Sequence, residues 1–485
     1  MVRRSKKSMQ EILGSHDFIS FNAKESELDR KITLATEGFT TKKYCELVLR
    51  DRARLSEDNA LTLANYIIDY KREINASQST IKTAVQFLSE LSKVVGLEKK
   101  FADMTREDIL GHYLDSCRKS ENEDPMHKWI GSYNIKREIV LRFFKWLAFP
   151  EVGDPKKRDK LYAASKEPKC IQDIPLLRRK EVSCYKPSDM WIPEDDLLFL
   201  KYVSNKRDKC YHMMALDTSA RPHEILNLKI KDVMFKLTPD GKRQYAEVLL
   251  NGKTGSRPTP LIQSIPYVKA WLDEHPRKNV PNSPLFVSLN NQSNHYTRQL
   301  TREGLYGVYD DYKKVFFPKL LQDPAIPAQD KEKIKVLLAK PWNPYTLRHS
   351  GLTEKSRKLK DSLILRQYAG WSPRSNMPQK YVHYFGNESS ESLLEAYGIV
   401  TRDNGSVDPL SPKLCPNCNE GNTQDARFCC KCKMIMSYEG YQEALESQKQ
   451  KEDEITELKK RQERFELLIQ SLIDSGQLKS VSNNS

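Results

Sequence analysis

Between residues 38 and 150, apolar side chains recur at steps of three and four along the chain. KYCELVLRDRARL, LTLANYIIDYKREI, STIKTAVQFLSELSKVVG, REDILGHYLDSCRKS and YNIKREIVLRFFKWLAF each carry such a stripe. That period predicts amphipathic helices, with Ser79 and Thr105 placed as N-caps. The segment reads as a small all-helical domain. Residues 1–37 are polar and are expected to form a flexible N-terminus. Residues 151–188, rich in Lys, Asp and Pro, read as a linker.

The pattern changes after WIPEDDLLFLKYV. ARPHEILNL predicts a short helix with Pro222 in its first turn. DVMFKL, QYAEVLL and the segment after NGKTGS alternate as strands, and TPDGK and NGKTGS carry hairpin turn chemistry. Helical patterns return at YVKAWLDEH, LYGVYDDYKKVFFPKLL, KEKIKVLLA, TLRHSGLTEKSRKL and SLILRQYAG. A second, mainly helical domain with one small antiparallel β-sheet results, spanning 189–400. A linker at 401–412 follows, then a cysteine-rich segment at 413–437. A charged helix over 438–477 and a disordered tail over 478–485 complete the pattern.

Length and charge narrow the function. A chain of 485 residues holds two to four domains. Lys and Arg number 80 against 65 Asp and Glu, a net charge of +15. That balance favours a polyanionic partner, and nucleic acid over membrane, because no basic helix with an aromatic face stands out. A merely solvated basic surface is the competing reading. MVRRSKKSMQEIL lacks the apolar stretch of a secretory signal, and no apolar run reaches membrane-spanning length. A cytoplasmic, nucleoid-associated protein with reduced thiols is therefore expected.

Chemistry concentrates in four short stretches. LDTSARPHEILNLKIKDV holds Arg221 and Glu224, LLNGKTGSRPTPL holds Lys253, NPYTLRHSGLT holds Arg348 and His349, and QYAGWSPRSNMPQKYVHYFG holds Trp371 and Tyr381. A tyrosine that attacks a phosphodiester must shed a proton whose pKa is about 10. Guanidinium groups that fork onto two oxygens suit the charged phosphorus, and a lysine can return a proton to the leaving oxygen. Two arginines, a lysine and a tyrosine are the minimum kit.

In that order the motifs resemble the tyrosine recombinases of the phage-integrase kind. The likeness covers 38–150 as a helical core-binding, DNA-binding domain and 189–400 as the catalytic domain. It implies that Arg221 and Arg348 clamp the scissile phosphate, that Lys253 protonates the departing 5′ oxygen, and that Tyr381 forms a 3′-phosphotyrosyl link. It implies that Trp371 donates its indole N–H to the phosphate, that Glu224 holds Arg221 or a neighbour, and that His349 fills the position after the second arginine. No metal or nucleotide is implied for catalysis. The family carries His three positions before the second arginine, where this chain has Tyr345. A neutral phenol is a poor base, which leaves the acceptor of the nucleophile's proton open.

Competing readings stand beside these. The competing reading of Lys253 is an ordinary hairpin lysine, with Arg257 close by, and that of Trp371 is a core residue; catalysis is the favoured reading of both. Tyr384 rivals Tyr381, but the family's tyrosine is followed two residues on by His, as Tyr381 is by His383.

Five of the ten cysteines crowd into residues 415–432. Cys415-x-x-Cys418 and Cys429-x-x-Cys432 are the spacing of two knuckles around a structural Zn2+, a zinc ribbon of the kind that resembles archaeal-type members. An iron–sulfur site and a disulfide pair are the alternatives, and Cys430 reads as a spare. Beyond Tyr441, Ile455, Leu458, Phe465, Ile469 and Leu472 repeat in sevens around Gln462. That suggests a coiled coil, against one amphipathic helix lying on the body. The whole reads as a site-specific recombinase or integrase of a mobile element. The resemblance implies that it acts on double-stranded DNA as a clamp and self-associates from dimer to tetramer. A type IB topoisomerase-like relaxing enzyme and a non-catalytic DNA-binding adaptor are the alternatives.

Overall fold

The computed structural model describes residues 26–475, except 75, 166–169, 181–182, 184, 239–243, 253–254, 290–297, 360, 382–396 and 398–407. The chain divides into two compact units, one up to residue 184 and one from Tyr185 onward.

The first unit is helical, as the three-to-four period requires. Helices α1 (Glu27–Thr36), α2 (Lys42–Arg50), α3 (Glu57–Ile74), α4 (Gln78–Val95), α5 (Trp129–Ala148) and α6 (Pro155–Ala164) enclose one core. Tyr66, Phe101, Phe143 and Trp146 lie at its centre, with ring centroids 4.8–6.0 Å apart. Three expectations are corrected. The polar N-terminus gives way to α1 at Glu27, because Leu28, Ile32 and Ala35 form a buried stripe; residues 1–25 lie outside the described residues. The cap of α4 is Ser77, two residues earlier than Ser79, its hydroxyl accepting from the Thr80 amide at 3.3 Å. The stretch read as a linker contains α6, and it adds Ile171 and Ile174 to the core. The pattern of α6 is hard to read because its one buried side chain is Arg158, which forks onto Glu73 at 2.7 and 2.9 Å.

In the second unit almost every side chain of α8 (Lys206–Thr218) is buried, so this helix forms the axis of the core. Helix α7 (Pro193–Tyr202) precedes it, and the short α9 (Pro222–Leu226) begins with Pro222 at its first position. Strands β1 (Val233–Leu237), β2 (Gln244–Gly252) and β3 (Gly255–Leu261) form an antiparallel sheet in the order β1-β2-β3. Val248 faces Val233 on one side and Thr259 on the other, and the inward positions Ala246, Val248, Leu250 and Leu261 are fully buried. Alternation thus placed the sheet correctly.

Helices α10 (Ile265–Glu274), α11 (Arg302–Asp311), α12 (Phe317–Gln322), α13 (Ala328–Ala339), α14 (Pro344–Lys358) and α15 (Ser362–Ala369) surround α8. Helix α14 starts cleanly: Asn343 accepts from the Thr346 amide at 3.1 Å and Pro344 takes the first position. It lies against α8 so closely that a Cβ on Gly351 would fall 2.8 Å from the Leu216 carbonyl oxygen. The contact fixes the depth of every side chain on α14.

A cysteine-bearing lobe packs on this body. Lys269 pairs with Glu420 at 2.6 Å, Lys209 pairs with Asp425, and the Tyr267 hydroxyl accepts from the Gln424 amide at 3.3 Å. The expected linker at 401–412 is anchored at its end, where Asp408 accepts from Lys358 and Gln263 and Leu410 enters the core. Residues 401–407 lie outside the described residues. Helix α16 (Tyr438–Asp474) follows, and its side chains from Leu445 to Ser471 are exposed, so it does not lie along the body. The expected tail at 478–485 lies outside the described residues. Among the described residues, no helix is long and apolar enough to cross a membrane.

Candidate active site

Helix α14 brings together three of the singled-out residues directly. Arg348 and His349 sit one turn in from its N-terminus, and Tyr345 lies three and four positions before them, on the same face. Arg348 is 4 % exposed. Its Nη1 donates to the Ser219 carbonyl at 2.5 Å and its Nη2 to the Ala369 carbonyl at 2.9 Å. Ser219 ends α8 and Ala369 ends α15, so two helix C-termini point their negative ends at one buried guanidinium. Burial, with Arg221 nearby, still draws Arg348 down to about 10. It remains charged at neutral pH.

Arg221 is held from beneath by Glu224. One carboxylate oxygen accepts from Arg221 Nη1 at 2.8 Å, and the other accepts from the Arg221 amide at 3.1 Å. That second oxygen also accepts from Arg257 Nη2 at 2.7 Å. Burial pushes the Glu224 carboxyl up, but the bonds from Arg257 and Arg221 more than offset this and hold it below the usual carboxylate range. Arg257 in turn donates its Nε to the Tyr368 carbonyl at 3.1 Å. Its Nη1 is buried with no hydrogen-bond partner among the described residues. Gly370, at φ +63°, closes the space beside it: a Cβ there would meet Arg257 Nη1 at 2.4 Å.

Tyr381 closes the opposite side. It is 1 % exposed, and its hydroxyl lies 2.8 Å from His349 Nδ1. Burial pushes the phenol up to about 12, against the pull of Arg348 and Arg221. The indole of Trp371 lies against Tyr381, centroids 5.4 Å apart and planes 23° from parallel. The His349 ring centroid lies 5.9 Å from that of Tyr381, and Tyr185 lies against His349 at 4.8 Å. Burial, followed by Arg348 and Lys380, lowers His349 to about 4, so its imidazole is neutral at pH 7.

The structure therefore gathers Arg221, Glu224, Arg348, His349, Trp371 and Tyr381 around one spot. Tyr345 lies half-buried at the start of α14, and burial followed by the neighbouring Tyr345 raises the phenol of Tyr306. Lys253, between β2 and β3, lies outside the described residues, as do His383 and the rival Tyr384. Two neighbours of the site were not singled out from sequence. Tyr185 had no signal, since it lies in a stretch without periodicity. Arg257 did: it shares the inward face of β3 with Thr259 and Leu261, and an arginine on a buried face needs an acceptor.

The four sulfurs of Cys415, Cys418, Cys429 and Cys432 lie within 4.8 Å of one another. The pairs Cys415–Cys432 and Cys418–Cys429 are 3.5 Å apart. Tetrahedral zinc with bonds of about 2.3 Å asks for sulfurs about 3.8 Å apart, so the cluster fits a metal. Both knuckles turn alike. The amide four residues after the first cysteine donates to that cysteine's carbonyl, Asn419 to Cys415 at 2.8 Å and Lys433 to Cys429 at 3.0 Å. Asn419 and Lys433 both have positive φ. Cys430 is exposed and outside the cluster.

Residues 191–388 match the model of the phage integrase family. No curated protein matches the chain. Among solved structures, the chain is similar to the XerH site-specific recombinase bound to a palindromic difH substrate, at 17% identity and a TM-score of 0.43, over 77% of this chain and 97% of that one. It is similar to the Tn1549 transposon integrase in complex with circular intermediate DNA, at 13% identity and 0.44, over 69% and 98%. A lambda integrase tetramer bound to a Holliday junction matches at 9% and 0.41, over 67% and 78%.

Proposed function

We propose that the chain, whose residues 191–388 match the phage integrase family, is a DNA strand-transferase of the tyrosine recombinase kind that cuts and rejoins duplex DNA at specific sites through a 3′-phosphotyrosyl intermediate. The single observation behind the detailed reading is the meeting of Tyr381 with Arg348 and Arg221 around one spot. Arg221, steadied by Glu224, and Arg348, steadied by two helix ends, take the non-bridging oxygens of the scissile phosphate. Both anchors leave the guanidinium charge in place before DNA arrives, so little reorganisation is needed when charge develops on phosphorus. Tyr381 supplies the attacking oxygen, Lys253 the proton for the departing 5′ oxygen, and Trp371 packs Tyr381 and offers its indole N–H. Tyr345 stands where the family carries His and donates to the phosphate as a neutral phenol. The bond energy stays in the phosphotyrosine until a 5′ hydroxyl attacks, so the strand exchange needs no metal or nucleotide.

The target is double-stranded DNA and the working form a dimer rising to a tetramer on paired sites, in the cytoplasm at the nucleoid. Integration or excision of a mobile element is the setting this chemistry fits. Zinc held by Cys415, Cys418, Cys429 and Cys432 would cross-link the two knuckles and let a lobe with little core fold. The archaeal type rests on that ribbon. The exposed stripe of α16 is the seam of a coiled coil between protomers. Incubation with supercoiled plasmid, with and without a candidate attachment site, separates the alternatives. Recombinant products support a recombinase, relaxation without regard to site indicates a topoisomerase-like enzyme, and binding without a covalent adduct indicates an adaptor.

A further inference from the structure

The reaction requires a group that takes the phenolic proton of Tyr381, and at position 345 this chain offers a phenol. Four residues later, on the same face of α14, stands His349. We propose that His349 is the general base for Tyr381, its Nδ1 accepting the proton across the 2.8 Å contact. This rests on the recombinase reading and goes beyond it by assigning the proton's destination.

The geometry is specific. For Nδ1 to accept, the imidazole is the neutral tautomer protonated at Nε2. Tyr185 at 4.8 Å and Tyr381 at 5.9 Å flank the ring, and Trp371 backs Tyr381. Both partners are thereby held within the reach that proton transfer requires. The step balances as follows. The proton passes from Tyr381 Oη to His349 Nδ1, and the oxygen bonds to phosphorus. The bond from phosphorus to the 5′ oxygen breaks, and that oxygen leaves as a hydroxyl by taking a proton from Lys253, the leaving-group acid of the reading above. Religation returns each proton by the reverse path.

Charged and titratable groups facing His349 are Arg348 on its own helix, Lys380 and Tyr381 from the turn beyond Met377, and Tyr185 from the segment before α7. The two cations oppose an imidazolium in the free protein. A phosphodiester seated between Arg221 and Arg348 adds a negative charge beside them, so the base strengthens only when substrate is bound.

The test is single-turnover cleavage of nicked duplexes chosen from a randomised library by wild-type adduct formation. Each is made with the ordinary 5′ oxygen and with sulfur at that bridging position, a leaving group that needs no proton. His349→Asn, which keeps bulk and an acceptor but takes no proton, is expected to slow cleavage about 100-fold on both substrates with duplex binding unchanged. Added imidazole is expected to restore His349→Ala at least about tenfold, in proportion to its free-base fraction. The proposal is overturned if the Asn variant keeps the wild-type rate. Recovery of that variant on the sulfur substrate also overturns it, by placing the defect on the leaving-group side. Failure of imidazole to help the Ala variant leaves His349 a positioning residue and overturns the assignment as a base. A wild-type chain that forms no adduct on any library member overturns the recombinase reading itself.

Discussion

Arg257 Nη2 lies 2.7 Å from a carboxylate oxygen of Glu224, and the Glu224 side chain is wholly closed to solvent. The same carboxylate carries Arg221. Replacing Arg257 with Met therefore leaves a buried charge with one partner fewer. The expected loss is on the order of 3 kcal/mol in urea unfolding, because a buried charge stripped of its partner retains its desolvation cost. A loss under about 1 kcal/mol would mean that Arg221 alone satisfies Glu224.

The neutral His349 makes stability depend on pH. Its value in the folded chain, about 4, lies below the ordinary 6.5. Between those values the unfolded chain binds a proton that the folded chain does not, so stability falls as pH drops from 6.5 toward 4. At about 1.4 kcal/mol per unit the residue's share approaches roughly 3 kcal/mol. Unfolding of wild type and His349→Asn in parallel at pH 7, 6 and 5 isolates this share. The wild type is expected to lose ground against the variant as pH falls, and a constant difference would refute the buried neutral imidazole.

The cysteine cluster is expected to hold about one zinc per chain, the load of a single site with four thiolate ligands. Metal analysis of protein prepared under reducing, chelator-free conditions checks this. Cys429→Ser is expected to lose the metal and Cys430→Ser to keep it, because only Cys429 points its sulfur into the cluster. Chelation is also expected to loosen the lobe from Lys209 and Lys269, which limited proteolysis reads directly. Equal metal in both variants would move the site.

Ile455, Leu458, Phe465 and Ile469 are exposed along α16. Changing Leu458 and Phe465 to Ser is expected to lower self-association at least tenfold in sedimentation without lowering the melting temperature of the body, since these side chains are exposed in their own protomer. An unchanged association constant would leave the stripe without a role in assembly.

How far the sequence could be read follows from the kind of signal each residue left. The three-to-four period gave most helices of both units, and alternation gave the three strands of the sheet but not the register that pairs Val248 with Thr259. Periodicity failed at α6, whose buried contact is Arg158 on Glu73 instead of an apolar stripe. At α1 the period is present in Leu28, Ile32 and Ala35, but over only ten residues set in a polar stretch it was passed over. Motif chemistry pointed to Arg221, Arg348 and Tyr381. It did not reveal that Ser219 and Ala369, two ordinary helix ends, supply the acceptors that keep Arg348 buried and charged. Backbone carbonyls carry no sequence signature. The role of His349 depended on a distance across 32 residues, which spacing alone does not provide.

Identifying the residue that becomes covalently joined to DNA tests the central claim most directly. Nicked suicide duplexes that trap the cleaved strand, followed by proteolysis and peptide mass spectrometry, locate the attachment. The account expects the 3′ phosphate on Tyr381, no adduct with Tyr381→Phe, and an adduct retained with Tyr384→Phe. DNA attached at Tyr384, or an adduct that persists in Tyr381→Phe, would contradict it.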